Sequence, residues 1–287
     1  MFTKNSWRSF QVNFNTKRVY ITWDIRFMWK RFYIAAAHTL EYVKYGLRDP
    51  SAALAYLIYS QNGLNYLFTK RLLSLSKEEY AIYLGELRRN VAFSEYVEQA
   101  LKGVGTPLGE IQAQGAELLY VITRVLNPEI VVETGVAAGV SSAFILMALQ
   151  ENDFGKLYSI DMPNYDLELS RRGVIPTPVS MFPNDKFTGF AIPPNLKHRW
   201  HLLIGLSKDV LPPLLKQLKE IDMFLHDSEH SYEGMMFEYD TSWPYIRKGG
   251  VLLSHDISMN PAFSDFQKAV KKKSYHCYFS SIGGIRK

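Results

Sequence analysis

The sequence predicts an α/β fold, a mostly parallel sheet with helices on both faces, preceded by an all-helical N-terminal region. Three observations lead there. From about Ile25 to Lys102 apolar residues recur at threes and fours without strand-like alternation. Gly103, Gly105 and Pro107 then form a breaker cluster. Beyond it short β-branched runs alternate with helical stretches of crossover length, which implies right-handed connections and parallel strands. The boundary is therefore set at the cluster, with residues 1–105 as the helical region and 106–287 as the sheet domain.

The N-terminal helices run through RFMWKRFYIAAAHTLEYVKYGL, ALAYLIYS, LNYLFTKRLLSL and KEEYAIYLGELRRNVAFSEYVEQALK, punctuated by Pro50 and Gly63. In the second part the pattern predicts a helix over 115–126, strands over 130–133 and 156–160 with a helix over 141–150 between them, and a strand over 200–204. A helix over 208–219, a strand over 223–225, a helix over 233–246 and a strand over 251–254 follow. The last stretch, Tyr275 to Ile285, is expected to add an antiparallel pair turning at Gly283 and Gly284, which makes seven strands. Between Met162 and Lys197 lies a long proline- and glycine-rich loop without a period. It leaves the carboxyl end of a strand, where such sheets bind ligands, and is expected to be a lid or a substrate wall.

Composition narrows the class of function. With 47% hydrophobic and 21% charged residues the 287-residue chain has the balance of a globular protein. Cys277 is the single cysteine, so there is no intrachain disulfide and no thiolate zinc site, and a cytoplasmic setting is expected. The apolar run Tyr33 to Leu40 is shorter than a membrane span and lacks the form of a signal peptide. Of the net charge of +5, residues 1–48 carry nine basic and two acidic side chains, or +7, and the rest of the chain −2. The basicity therefore lies outside the sheet domain, against a nucleic-acid channel there. Trp7, Arg8, Lys17, Arg18, Trp23, Arg26, Trp29, Lys30 and Arg31 would suit an anionic membrane surface, an acidic partner or a homo-oligomer contact, or simply a solvated helical face.

The chemistry gathers at predicted strand ends. In VVETGVAAGVSS, Gly135 and Gly139 allow a sharp strand-to-helix turn and close approach of the backbone to a ligand, and Ser141 opens a helix whose free amides suit an anion. Glu133 stands two residues before the first glycine, and Asp161 ends the next strand 26 positions after it, near the offset at which a carboxylate meets ribose hydroxyls. A dehydrogenase fingerprint fits less well, because Ala137 and Val140 occupy its later glycine positions, and a phosphate loop would need a Lys-Ser or Lys-Thr pair.

The run PEIVVETGVAAGVSSAFILMAL with GKLYSIDMP, then IPPNLKHRWHLLIGLSKDVLPPL, then FLHDSEHSYEGMMFEYDTSWPYIRKGGVLLSHDI resembles the class I S-adenosylmethionine (SAM)-dependent methyltransferases, in the branch of macrocin O-methyltransferase and the cephalosporin hydroxylase-like proteins. The resemblance covers about residues 110–287 and implies a Rossmann-like sheet and SAM as cofactor. It places Glu133, Gly135 and Gly139 at the methionine end of SAM, where the amides at Ser141 would meet the carboxylate, and Asp161 at the ribose. Ser207 becomes the polar candidate on the adenine side, since Leu206 replaces the usual acidic residue there. It also implies His230 as general base with Asp227 beside it. Magnesium or manganese would be held by Asp227 and by an acidic pair at the next strand end, which here reads His255-Asp256. Imidazole is a poor magnesium ligand, so the substitution leaves open two carboxylates with water, a softer ion, or no metal. His226 is expected to be structural, and a histidine such as His230 can also serve only as a cap.

Two functions follow from these residues. One is O-methylation of a hydroxyl on a small molecule or glycan; the other is a methyltransferase fold retained as a non-catalytic binding or scaffolding module.

Overall fold

A computed structural model describes residues 7–14, 17–24, 61–102, 113–162, 188–277 and 280–287. The chain divides into two compact units, Met1–Gln61 and Asn62–Lys287. The breaker cluster at Gly103 to Pro107, most of the long loop and the basic aromatic residues between 25 and 60 lie outside the described residues.

In the first unit, β1 (Trp7–Phe14) and β2 (Lys17–Asp24) pair antiparallel from Trp7 opposite Asp24 to Phe14 opposite Lys17. This corrects the expectation of an all-helical N-terminal region. Phe10, Val12 and Phe14, then Val19, Ile21 and Trp23, follow the period of two that suits a strand, and β-branched and aromatic residues favour it.

The second unit begins with α1 (Gln61–Leu73), α2 (Lys77–Arg89), α3 (Val91–Leu101) and α4 (Ala113–Leu126). Next come β3 (Ile130–Thr134), α5 (Val140–Glu151), β4 (Lys156–Asp161), β5 (Trp200–Ile204) and α6 (Ser207–Leu218). The unit ends with β6 (Ile221–His226), α7 (Tyr232–Ser242), β7 (Ile246–Ser254), α8 (Ala262–Val270), β8 (Ser274–Cys277) and β9 (Ile282–Arg286). The seven strands lie in the order β5-β4-β3-β6-β7-β9-β8. The first five are parallel, and β9 runs antiparallel to both β7 and β8. The expected Rossmann-like sheet is therefore present.

Both faces of the sheet are covered, and successive strand residues alternate between two cores. Val131, Met223, Leu225, Val251 and Leu253 pack with side chains of α1 to α5. Val132, Phe224 and Leu252 pack with α6, α7 and α8. Helix α2 starts at a capping box, Ser76 and Glu79 each bonding the other's backbone amide, and α2 is tied to α4 by Arg88 on Glu117 at 2.8 Å and Arg124 on Glu86 at 2.7 Å.

The terminal glycines sit inside β9, where the sequence placed a turn. A Cβ on Gly283 would meet the Phe263 ring at 2.6 Å, and one on Gly284 would meet Phe68 at 2.9 Å. The pair thus lets aromatic side chains press on the last strand from both layers. Among the described residues no helix is long and apolar enough to cross a membrane.

Candidate active site

Strands β3 and β6 are neighbours, yet the chain leaves β3 toward β4 and β6 toward β7, in opposite directions across the sheet. Such a switch point opens a crevice at the carboxyl ends of the strands. Gly135 follows β3 there with φ +81° and donates its N–H to the Ile160 carbonyl at 2.9 Å. Asp227, following β6, donates its N–H to the Thr134 carbonyl at 2.8 Å. The two loops touch so closely that a Cβ on Gly135 would lie 2.0 Å from the Asp227 carbonyl oxygen. Ala137 and Gly139 also take positive φ, +49° and +91°, and the turn closes when Gly139 N–H bonds the Val136 carbonyl at 2.8 Å. Gly139 is the N-cap of α5 and brings no side chain to cap the first amides.

Glu133 lies beneath this turn, fully buried. Its carboxyl accepts from Ser141 Oγ at 2.5 Å, Ser142 Oγ at 2.5 Å and Ser159 Oγ at 2.9 Å. Burial pushes its pKa up to about 7 against the pull of the three hydroxyls. Glu133 and Ser141, both expected at the methionine end of SAM, thus spend their side chains on each other, pinning α5 to β3.

At the end of β4, Asp161 accepts from the Val136 amide at 3.2 Å and from Thr188 Oγ1 at 2.8 Å, and burial raises its pKa. Thr188 belongs to the described tail of the long loop. Gly189 and Ala191 donate their amides to the carbonyls of Ala137 and Ala138, each at 2.9 Å. A Cβ on Gly139 would meet Gly189 Cα at 2.8 Å. The tail of the loop is therefore fastened to the glycine turn; the part expected to form a lid lies outside the described residues.

The second group of side chains comes from the ends of β6 and β7. His255 Nδ1 bonds Asp227 Oδ1 at 2.8 Å. His230 Nε2 lies 3.7 Å from Asp227 Oδ1 and 3.9 Å from Asp256 Oδ2. Asp256 Oδ1 is 3.7 Å from His255 Nε2. Burial and the neighbouring His226 hold the His230 pKa down, outweighing Asp227 and Asp256. For His255 burial acts in the same sense, but the Asp227 hydrogen bond and charge prevail and raise it. Asn260 Nδ2 bonds the His230 carbonyl at 2.8 Å and ties the two loops together. Among the described residues, Asp227, His230 and His255 form a group that could hold a metal ion, with ligand atoms all within 4.8 Å of one another. Asp256, the expected partner of Asp227, lies at the edge of that group.

Sequence reasoning missed Glu238. This α7 residue is 1% exposed and joins Thr134 Oγ1 at 2.5 Å, His226 Nδ1 at 2.6 Å and Ser228 Oγ at 2.6 Å. It also bonds the hydroxyl of Ser207, the residue expected on the adenine side. The available signal was a charged residue on the inward face of α7, in step with Met235, Tyr239 and Ser242.

Solved structures with similar architecture share little sequence. The SAH-bound methyltransferase of Podospora anserina is 12% identical, with 74% of this chain and 96% of that one covered and a TM-score of 0.48. For the O-methyltransferase of Bacillus cereus in complex with SAH the values are 13%, 68%, 91% and 0.45. For the SAM-bound O-methyltransferase of tomaymycin synthesis from Streptomyces achromogenes they are 16%, 69%, 90% and 0.45. A comparison with curated proteins gives no match. Residues 132–257, from β3 through Asp256, match the family model of a methyltransferase domain.

Proposed function

We propose that the chain is a SAM-dependent methyltransferase that transfers the methyl group to a hydroxyl of a small molecule or glycan, with His230 as general base. The observation that carries this reading is the contact of two loops: the glycine turn after β3 and the Asp227–His230 loop after β6 meet at the switch point, backbone against backbone. The family match over residues 132–257 supports it.

The residues present fit the cofactor. Helix α5 begins without a side-chain cap, so its first amides suit the methionine carboxylate, and Asp161 stands at the strand end where ribose hydroxyls are received. Glu133 supports the turn from below. When bound, SAM supplies a sulfonium-activated methyl group. The protein's task is to take the acceptor's proton as the new C–O bond forms. Burial and His226 hold the His230 pKa down, Nε2 has no hydrogen-bond partner and would take that proton, and Asp227 and Asp256 stand close enough to stabilise the imidazolium that results.

A divalent ion would be held by Asp227 and His255, with Asp256 at the edge of the group, and would lower the hydroxyl's pKa further. With imidazole in the donor set, manganese suits the site better than magnesium. Calorimetric titration with SAM tests the reading: no binding to folded protein at millimolar SAM refutes it. His230→Ala should abolish turnover across a panel of sugar and phenolic acceptors while leaving SAM affinity nearly intact.

A further inference from the structure

Behind His230 lies a buried group of side chains that the proposed chemistry does not use. His226, the last residue of β6, is fully buried; its Nδ1 is 2.6 Å from Glu238 Oε2, and its Nε2 has no hydrogen-bond partner. Its ring meets the His230 ring edge-on, centroids 5.3 Å apart, and His230 Nε2 is likewise buried without a partner. On Glu238, Oε2 also accepts from Thr134 next to Gly135, and Oε1 accepts from Ser228 next to Asp227. Burial alone would raise the Glu238 pKa, but His226 and the surrounding hydroxyls hold it low, so the group is a carboxylate. A carboxylate can only accept hydrogen bonds, so the His226 nitrogen facing it must carry the proton.

We propose that Glu238 and His226 form a positioning pair for the site: the carboxylate gathers the ends of β3 and β6 and the start of α6, and it accepts from His226 Nδ1–H, so that the ring is held with Nε2 beside His230. The pair is the inner support of the Asp227–His230 loop, as the carboxylate behind a catalytic histidine fixes its ring and tautomer. Its importance for turnover rests on the reading of His230 as base, but its geometry is testable separately. A packing role alone is served by any apolar pair of similar volume, which a buried ionic pair seldom betters in stability.

The test is NMR of the histidine ring nitrogens in the full chain, with signals assigned from single His→Gln variants. The wild type should show His226 protonated on Nδ1, with that proton far downfield. Glu238→Gln replaces the charged acceptor by an amide; the Nδ1 proton should move upfield and the His230 ring signals should be displaced. A wild-type His226 without a proton on Nδ1, or unmoved His230 signals in Glu238→Gln, overturns the proposal. If circular dichroism shows Glu238→Gln unfolded, Ser228→Ala, which removes one donor and keeps the charge, should leave the downfield proton in place and displace the His230 ring signals; unmoved His230 signals again overturn the proposal. Failure of the wild type to bind SAM would refute the methyl-transfer reading alone, since the ring spectra judge the pair without SAM.

Discussion

Glu133→Gln isolates the energetic cost of the carboxyl under the glycine turn. Burial places its pKa at about 7 in the folded chain, against a reference of 4.5. A carboxyl with a raised folded pKa contributes stability that is fully present below the unfolded value and is lost as pH rises through the folded value. Between these limits the folded state holds a proton that the unfolded chain has released. At about 1.4 kcal/mol per unit, the wild type should lose about 3 kcal/mol relative to the variant between about pH 4.5 and pH 8. The substituted amide has no charge to form, and the surrounding serine hydroxyls can turn to accept from it, so at the acid end the substitution should cost about 1 kcal/mol, one imperfect hydrogen bond. The variant should thus be slightly the weaker at acid pH and the stronger above neutrality. Guanidinium unfolding of both proteins by circular dichroism, repeated across that range, measures the difference, and the histidines common to both cancel. Parallel stability curves would refute the reasoning, because they would mean that Glu133 titrates alike in the folded and unfolded chain.

The remaining predictions concern the ligand and the turn. Asp161→Ala should weaken SAM binding by about 10- to 100-fold, the loss of one or two hydrogen bonds to a charged group; an unchanged calorimetric Kd would remove Asp161 from the ribose site. Gly135→Ala should destabilise the chain by about 3 kcal/mol or more, since φ is +81° and the new Cβ would lie 2.0 Å from a carbonyl oxygen; a loss below about 1 kcal/mol in guanidinium unfolding would show that the two loops can separate cheaply. Manganese should bind at least about tenfold more tightly than magnesium, by the preference of imidazole. EDTA treatment that leaves turnover unchanged would instead assign the deprotonation to His230 alone.

The part of the fold most legible in the sequence is the one that closes over the shortest distance. The β3-α5-β4 unit was expected as 130–133, 141–150 and 156–160 and is found within one or two residues of those limits. Its apolar runs, its glycines and Asp161 all belong to one crossover. Beyond it, legibility falls with sequence separation. Thr134 and Glu238 are 104 residues apart, and no local period relates them. Gly283 and Gly284 read as a turn, because only the folded chain brings Phe263 and Phe68 against them from opposite layers. Strand β7 begins at Ile246, five residues before the expected start, since Arg247, Lys248 and two glycines hide its period. For His230, Asp227 and His255 the residue types were visible. Their spacing was not, nor was the fact that His255 pairs with Asp227 at 2.8 Å.

Two residues at the end of β3 show why the site tolerates buried charge. Glu133 and Thr134 are consecutive, so their side chains point to opposite faces of the sheet. Glu133 reaches the α5 layer through Ser141 and Ser142, whereas Thr134 reaches Glu238 in the α7 layer. The strand end that carries Gly135 is thereby fixed from both sides by a carboxyl group. The two carboxyls differ in charge state because their partners differ. Hydroxyls alone do not offset the desolvation of Glu133, and its pKa rises; at Glu238 an imidazole is added to the hydroxyls, and the pKa falls. Apolar packing would hold a strand end at less cost, but it has no direction, whereas hydrogen bonds fix angles as well as positions. Directional fixing matters where a turn with positive φ at Gly135, Ala137 and Gly139 must keep its shape against the loop that carries His230. The loss of stability on ionising Glu133 is on this view the cost of a rigid turn, and Glu133→Gln should strengthen the chain against denaturant above neutrality while loosening that turn.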